Sequence, residues 1–82
     1  MSSVADRIRA RLGVRRDLPD PAQRRAIRQA AGLSQQELAD AIGVTRQAVS
    51  NWESGIRTPR GAALDRYVDA IRTLRELGSE DL

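Results

Sequence analysis

The sequence predicts an all-α protein: a single domain over residues 1–82, built as a bundle of about five helices with an extra helix at its N-terminal end and a long one at its C-terminal end. Three observations carry this. Capping residues and glycine stops fall in register along the chain, and apolar residues recur at three- and four-residue steps. The segment LSQQELADAIGVTRQAVSNWESG, residues 33–55, reads as two short helices joined by one tight turn, the second offering polar side chains outward.

At the N-terminal end Val4, Ile8 and Leu12 recur every four residues, which predicts a helix over 3–12 whose other faces carry Arg7, Arg9 and Arg11. Residues 13–19 link it onward and include Arg15 and Arg16. The next helix is predicted over 20–31. Asp20 caps it, Pro21 suits the first helical position because it lacks only an N–H that would be unpaired there, and Gln23 completes a box-like start. Gly32 is its expected left-handed terminator, Leu33 folds back over the end, and Ile27 with Ala30 or Ala31 faces the core.

Ser34 caps a helix over 35–42, with Glu37 where the acid of a capping box belongs. Thr45 caps the following helix over 46–54, which Gly55 ends. Leu38, Ile42, Val49 and Trp52 are expected to face a common core, Ala39 marks the crossing, and Val44 plugs the turn from inside. Gly43 supplies the positive φ that so short a turn requires. Opposite this buried set, Arg46, Gln47, Ser50 and Asn51 share an exposed face. The last helix is predicted over 59–77, about 28 Å at ~1.5 Å per residue, starting at Pro59 and meeting no breaker before Gly78. Leu64, Tyr67, Val68, Ile71, Leu74 and Leu77 form its stripe. The part from Leu64 to Ile71 should close the core. Leu74 and Leu77 are expected on Val4, Ile8 and Leu12, with the same stripe of a second subunit as the alternative.

Composition narrows the partner less than the net charge of +3 suggests. All 14 basic residues are Arg and 12 residues are Ala, a pattern that points to a GC-rich coding bias and so weakens Arg abundance as a sign of phosphate binding. Its distribution says more: residues 1–31 hold eight Arg against three acids, and residues 61–82 three against five, so the basic end is the expected neighbour of a polyanion. The absence of Cys removes disulfides and thiolate metal sites. No apolar run approaches the ~20 residues of a membrane span, and the charged start is unlike a secretion signal, so a cytoplasmic protein without membrane contact is expected. With only Trp52 and Tyr67 aromatic, stacking on single strands is disfavoured against duplex DNA.

The segment resembles the helix-turn-helix of the phage lambda and 434 repressors and Cro proteins, the XRE family, through Ala39, Gly43, Val49, Trp52 and the ending WESG together. About 30 of the 82 residues are covered closely, and the flanking helices match more loosely. The resemblance implies that residues 45–53 enter the major groove, with Arg46, Gln47, Ser50 and Asn51 toward the bases. Arg can fork onto the two acceptors of guanine, and Gln or Asn can both accept from and donate to adenine. It also implies that Gln35, Thr45, Arg57, Thr58 and Arg60 approach the phosphates. Finally, it places Arg28 in a partly buried ion pair with Glu53, tying the first core helix to the end of the reading helix.

Arg24 departs from the family, which usually has an apolar residue one turn before Ile27; the N-terminal helix is expected to complete the core there. An unbroken last helix is a second departure, and the family's dimer interface is not carried over. Still, one short reading helix binds weakly alone, so a homodimer on two half-sites about one helical turn apart is expected.

No catalytic role is expected, since the chain has no His, no Cys and no Gly-rich phosphate loop, and Asp65 and Asp69 lie a turn apart on a solvated face. No cofactor, metal or small-molecule ligand is implied. The acidic ending Glu80-Asp81-Leu82 is expected to fray. Two functions follow. The first is a phage- or prophage-type transcriptional repressor in a bacterial host, Cro-like in leaving no room for a cleavable oligomerisation domain. The alternative is an antitoxin or adaptor whose C-terminal helix binds a protein partner, and an exposed stripe on that helix would favour it.

Overall fold

The computed structural model describes residues 3–8 and 18–80, and every regular element among them is a helix. The expectations for residues 9–17, including Arg9, Arg11, Leu12, Arg15 and Arg16, lie outside the described residues, as do those for Asp81 and Leu82. The helices are α1 over 4–8, α2 (Pro21–Ala30), α3 (Gln35–Ile42), α4 (Arg46–Ser54) and α5 (Gly61–Glu80).

Local chemistry sets the starts. The Ser3 hydroxyl accepts from the Asp6 amide at 3.1 Å and the Ser3 amide donates to the Asp6 carboxylate at 3.3 Å, capping α1. The Asp20 carboxylate accepts the Gln23 amide at 2.8 Å ahead of Pro21. At α3 the box is reciprocal: Ser34 Oγ accepts from the Glu37 amide and Glu37 Oε1 from the Ser34 amide, both at 3.0 Å. These bonds hold the Glu37 carboxyl below its ordinary range. Thr45 Oγ1 does the same for α4, accepting from the Ala48 amide at 3.1 Å. Asp20 and Ala31 are caps, so α2 is one residue shorter at each end than the pattern of 20–31 suggests.

The stops shape the turns. Leu33 N–H donates to the Arg28 carbonyl at 3.2 Å and Gly32 N–H to the Gln29 carbonyl at 3.0 Å, the paired bonds of a Schellman end. At Gly43 φ is +84°, and the amides of Gly43 and Val44 both return to the Ala39 carbonyl, at 2.8 and 3.0 Å. Only glycine takes that backbone without strain, which lets α3 and α4 cross within three residues.

α2 and α3 each pack against both α4 and α5. Leu38, Ala39, Ile42, Val49, Trp52, Tyr67, Ile71 and Leu74 form the core, with Leu18, Ile27, Ala31, Leu33 and Val44 packed at its edges. The Trp52 and Tyr67 rings meet at 4.8 Å, tilted by 37°. Arg66 Nε donates to the Ile42 carbonyl at 2.8 Å, so α5 also covers the polar end of α3.

Three expectations need correction. α5 begins at Gly61 rather than Pro59, because Gly61 has φ +58° and turns the chain into the helix after a buried Pro59. It runs through Gly78 to Glu80 rather than ending at 77, since one glycine inside a helix costs only about 1 kcal/mol. The core beside Ile27 is not completed by α1: Val4 and Ile8 are exposed, and Arg24 itself is buried there. The Arg24 stem fills the apolar volume while Nε donates to the Pro19 carbonyl at 2.7 Å and Nη1 to the Trp52 carbonyl at 3.1 Å. Its guanidinium also lies 5.9 Å from the centre of the Tyr67 ring.

Candidate nucleic-acid interface

Helix α4 has two unlike flanks, and its sequence dictates both. Val49, Trp52 and Glu53 turn inward and are buried, while Arg46, Gln47, Ser50 and Asn51 fall within roughly 140° of arc at 100° per residue and point away from the core. Arg46 and Gln47 are exposed; Ser50 and Asn51 are half-buried.

Gln47 and Asn51 are joined before any ligand arrives. Gln47 Nε2 donates to Asn51 Oδ1 at 3.0 Å across one helical turn. Among the described residues that bond leaves Gln47 Oε1 and both hydrogens of the Asn51 amide unused, an acceptor and donors one turn apart. Such a pair can match the acceptor and donor on an adenine edge.

Beside this pair the segment after Gly55 folds back and makes a groove of about 810 Å³, lined by Thr45, Gln47, Ala48, Asn51, Trp52 and residues 56–60. The Arg57 amide donates to the Asn51 carbonyl at 3.3 Å, which fixes the segment against the last turn of α4. Arg57, Thr58 and Arg60 are exposed along it, and neither Arg carries an ion pair among the described residues. The groove thus combines amide donors and acceptors on one wall with two uncommitted cations on the other.

The structure brings together Thr45, Gln47, Asn51, Arg57, Thr58 and Arg60 from the residues singled out by sequence. Arg46 and Ser50 lie on the same helix but outside this groove. Thr45 accepts the cap bond and keeps its hydroxyl hydrogen for an outside acceptor. Gln35 is more committed than expected: its Nε2 donates to Glu53 Oε1 at 3.2 Å, so the residue braces α4 from the start of α3.

The brace is centred on Arg28 and Glu53, both buried. Arg28 Nε donates to Glu53 Oε2 at 2.6 Å and Nη2 to Oε1 at 2.9 Å, while Nη1 donates to the Leu33 carbonyl at 2.7 Å. The hydrogen bonds to Glu53 raise the Arg28 pKa against the opposing effect of burial. One turn earlier Arg24 holds the Trp52 carbonyl, so two arginines on one face of α2 grip consecutive residues at the end of α4. Below them burial pushes the Tyr67 phenol up to about 12, with the Arg24 guanidinium pulling the other way. The Tyr67 hydroxyl has no hydrogen-bond partner among the described residues.

Sequence reasoning missed Arg24 as a grip on α4 and passed over Ile56. Arg24 carried a usable signal, its four-residue spacing from Arg28. Ile56 did too, as an aliphatic residue in an otherwise polar loop.

Among the described residues no helix is long and apolar enough to cross a membrane. The helix-turn-helix family model matches residues 25–77, which takes in α3, α4 and most of α2 and α5. Neither a curated protein nor a solved structure matches the chain.

Proposed function

The chain belongs to the XRE-type helix-turn-helix family of DNA-binding regulators, and from that premise we propose that it is a Cro-like repressor of phage or prophage type acting by occupying an operator. The observation that carries this reading is the groove beside α4, where the bonded pair Gln47–Asn51 faces Arg57, Thr58 and Arg60. Amides at base edges supply selectivity and cations at phosphates supply affinity. Arg46 and Ser50, farther around α4, extend the reading face. Thr45 and the N-terminal end of α4 meet a phosphate, because the unpaired amides of a helix start favour an anion.

The protein binds as a homodimer on two half-sites, since a single α4 spans too few base pairs for a specific complex. The alternative of an antitoxin or adaptor finds less support. The α5 stripe is buried from Leu64 through Leu74 and opens only at Leu77, which leaves little of it for a protein partner.

Selection of bound sites from random duplex DNA tests the reading. A palindromic consensus with half-sites about 10 base pairs apart is expected. Recovery of no preferred sequence, or binding that ignores salt, overturns it.

A further inference from the structure

Ile56 is the one large aliphatic side chain on the groove beside α4 that is bare, at 73% exposed; Trp52 and Pro59 on the same groove are buried. It contributes nothing to the core. Nor is its place accidental, because the backbone holds it from both sides. Gly55 before it ends α4 with φ +80° and closes on Pro21, where an added Cβ would lie 3.5 Å from Pro21 Cγ. Arg57 after it is tied by its amide to the Asn51 carbonyl. Ile56 is therefore presented at a fixed point on the groove rim, next to two cations and across from Gln47 and Asn51.

An exposed β-branched residue among polar and cationic neighbours suits a ligand that is mostly polar but carries one apolar group. The major-groove edge of duplex DNA has one such group, the 5-methyl of thymine. Gln47 and Asn51 can satisfy the hydrogen-bonding edges of the bases they face, but their polar amide ends are poor partners for a methyl.

We infer that Ile56 is a specificity-determining residue that seats on the 5-methyl of a thymine adjacent to the bases faced by Gln47 and Asn51. The inference rests on the DNA-reading function proposed above and adds a base preference to it. Because Ile56 is exposed and lies outside the buried core, its replacement should leave the fold intact, so its effect is read in the complex alone.

Uracil supplies the test, since it differs from thymine only by that methyl. The duplex recovered by selection is resynthesised with each thymine replaced in turn by uracil, and Kd is measured for the unaltered protein, Ile56→Ala and Ile56→Val, with thermal melts of each protein alongside. One methyl buried corresponds to about a fourfold change in Kd. The unaltered protein and Ile56→Val should lose about fourfold at one thymine position, and Ile56→Ala should bind the thymine duplex that much more weakly while ignoring uracil there. A consensus with no thymine beside the amide-read bases overturns the inference. So does a uracil penalty that persists in Ile56→Ala, or an Ile56→Ala loss equal on both duplexes, which would assign Ile56 to the sugar or to a second copy of the chain. Selection that recovers no sequence sinks the regulator reading itself, whereas a clear consensus without a uracil penalty linked to Ile56 sinks only the methyl contact.

Discussion

Arg28 and Arg57 are the same side chain used in opposite ways on two flanks of α4. Arg28 is buried with every nitrogen donating to a fixed acceptor, whereas Arg57 stands exposed on a groove with its guanidinium uncommitted among the described residues. The difference lies in what surrounds each charge. A desolvated guanidinium must find all its partners within the fold, and having found them it is unavailable to a ligand. A solvated one keeps its donors for an outside anion at little cost to stability. The brace should therefore answer to unfolding experiments and the groove to binding experiments, with little crossover.

The largest break of that separation comes at the brace. Arg28→Ala strands the Glu53 carboxylate with only Gln35 for company, and Glu53→Ala strands the guanidinium. Each should destabilise the protein by about 3–5 kcal/mol in urea unfolding, Glu53→Ala toward the lower end because Arg28 keeps the Leu33 carbonyl. A loss under ~1 kcal/mol would place the pair with solvated surface bridges and remove the contrast. Arg28→Lys should rescue little, because an ammonium cannot span both carboxylate oxygens and the Leu33 carbonyl.

Next in size is the floor of the brace, Tyr67. Its folded pKa of about 12 stands above the ordinary 10.0, so the neutral phenol is favoured by folding. Stability from this source is complete below pH 10 and is lost as pH rises toward 12, by about 2–3 kcal/mol in all, since the unfolded chain releases its proton first. Urea unfolding between pH 9 and 11.5 should show this slope, and Tyr67→Phe should flatten it. At neutral pH Tyr67→Phe should cost nothing measurable, because the hydroxyl it removes has no described partner.

How far each flank was legible in the chain follows from how local its causes are. Ser34, Thr45 and Asp20 bond to amides three residues ahead, and Gly43 needs only its own backbone freedom, so the helix ends of the middle of the chain could be read directly. The groove's components were likewise read from α4 and the loop after it. Arg28–Glu53 came from family resemblance, since nothing local joins residues 25 positions apart. Arg24 was misjudged because a charge at an apolar position looks like a gap in the core. Only the folded chain brings the carbonyls of Pro19 and Trp52 to where its nitrogens end. Pro59 misled for a related reason: proline permits a helix start but does not require one, and the left-handed turn at Gly61 decided the boundary.

On the groove side, Gln47→Ala should change selectivity without changing stability. Its amide pairs with Asn51 and sits in solvent, so thermal melting should be unaltered. Discrimination at the base it faces should fall by about 1–3 kcal/mol, while nonspecific affinity is kept. An unchanged operator preference would leave the flank contributing affinity alone.

Arg60→Ala gives the smallest effect and the sharpest statement of what the groove's cations do. Arg60 is exposed and faces the groove with Thr58 and Arg57, so its removal exposes no buried acceptor and the melting temperature should hold. A guanidinium at a phosphate releases counterions on binding, and each such contact contributes about −0.9 to the slope of log K against log salt concentration. Arg60→Ala should lower that slope by about one contact and weaken cognate and random duplexes alike. Equal weakening is the diagnostic outcome, because a phosphate carries no base identity. If the loss fell on the cognate duplex alone, Arg60 would be reading bases, and the division between selective amides and unselective cations would move from the two walls of the groove into a single side chain.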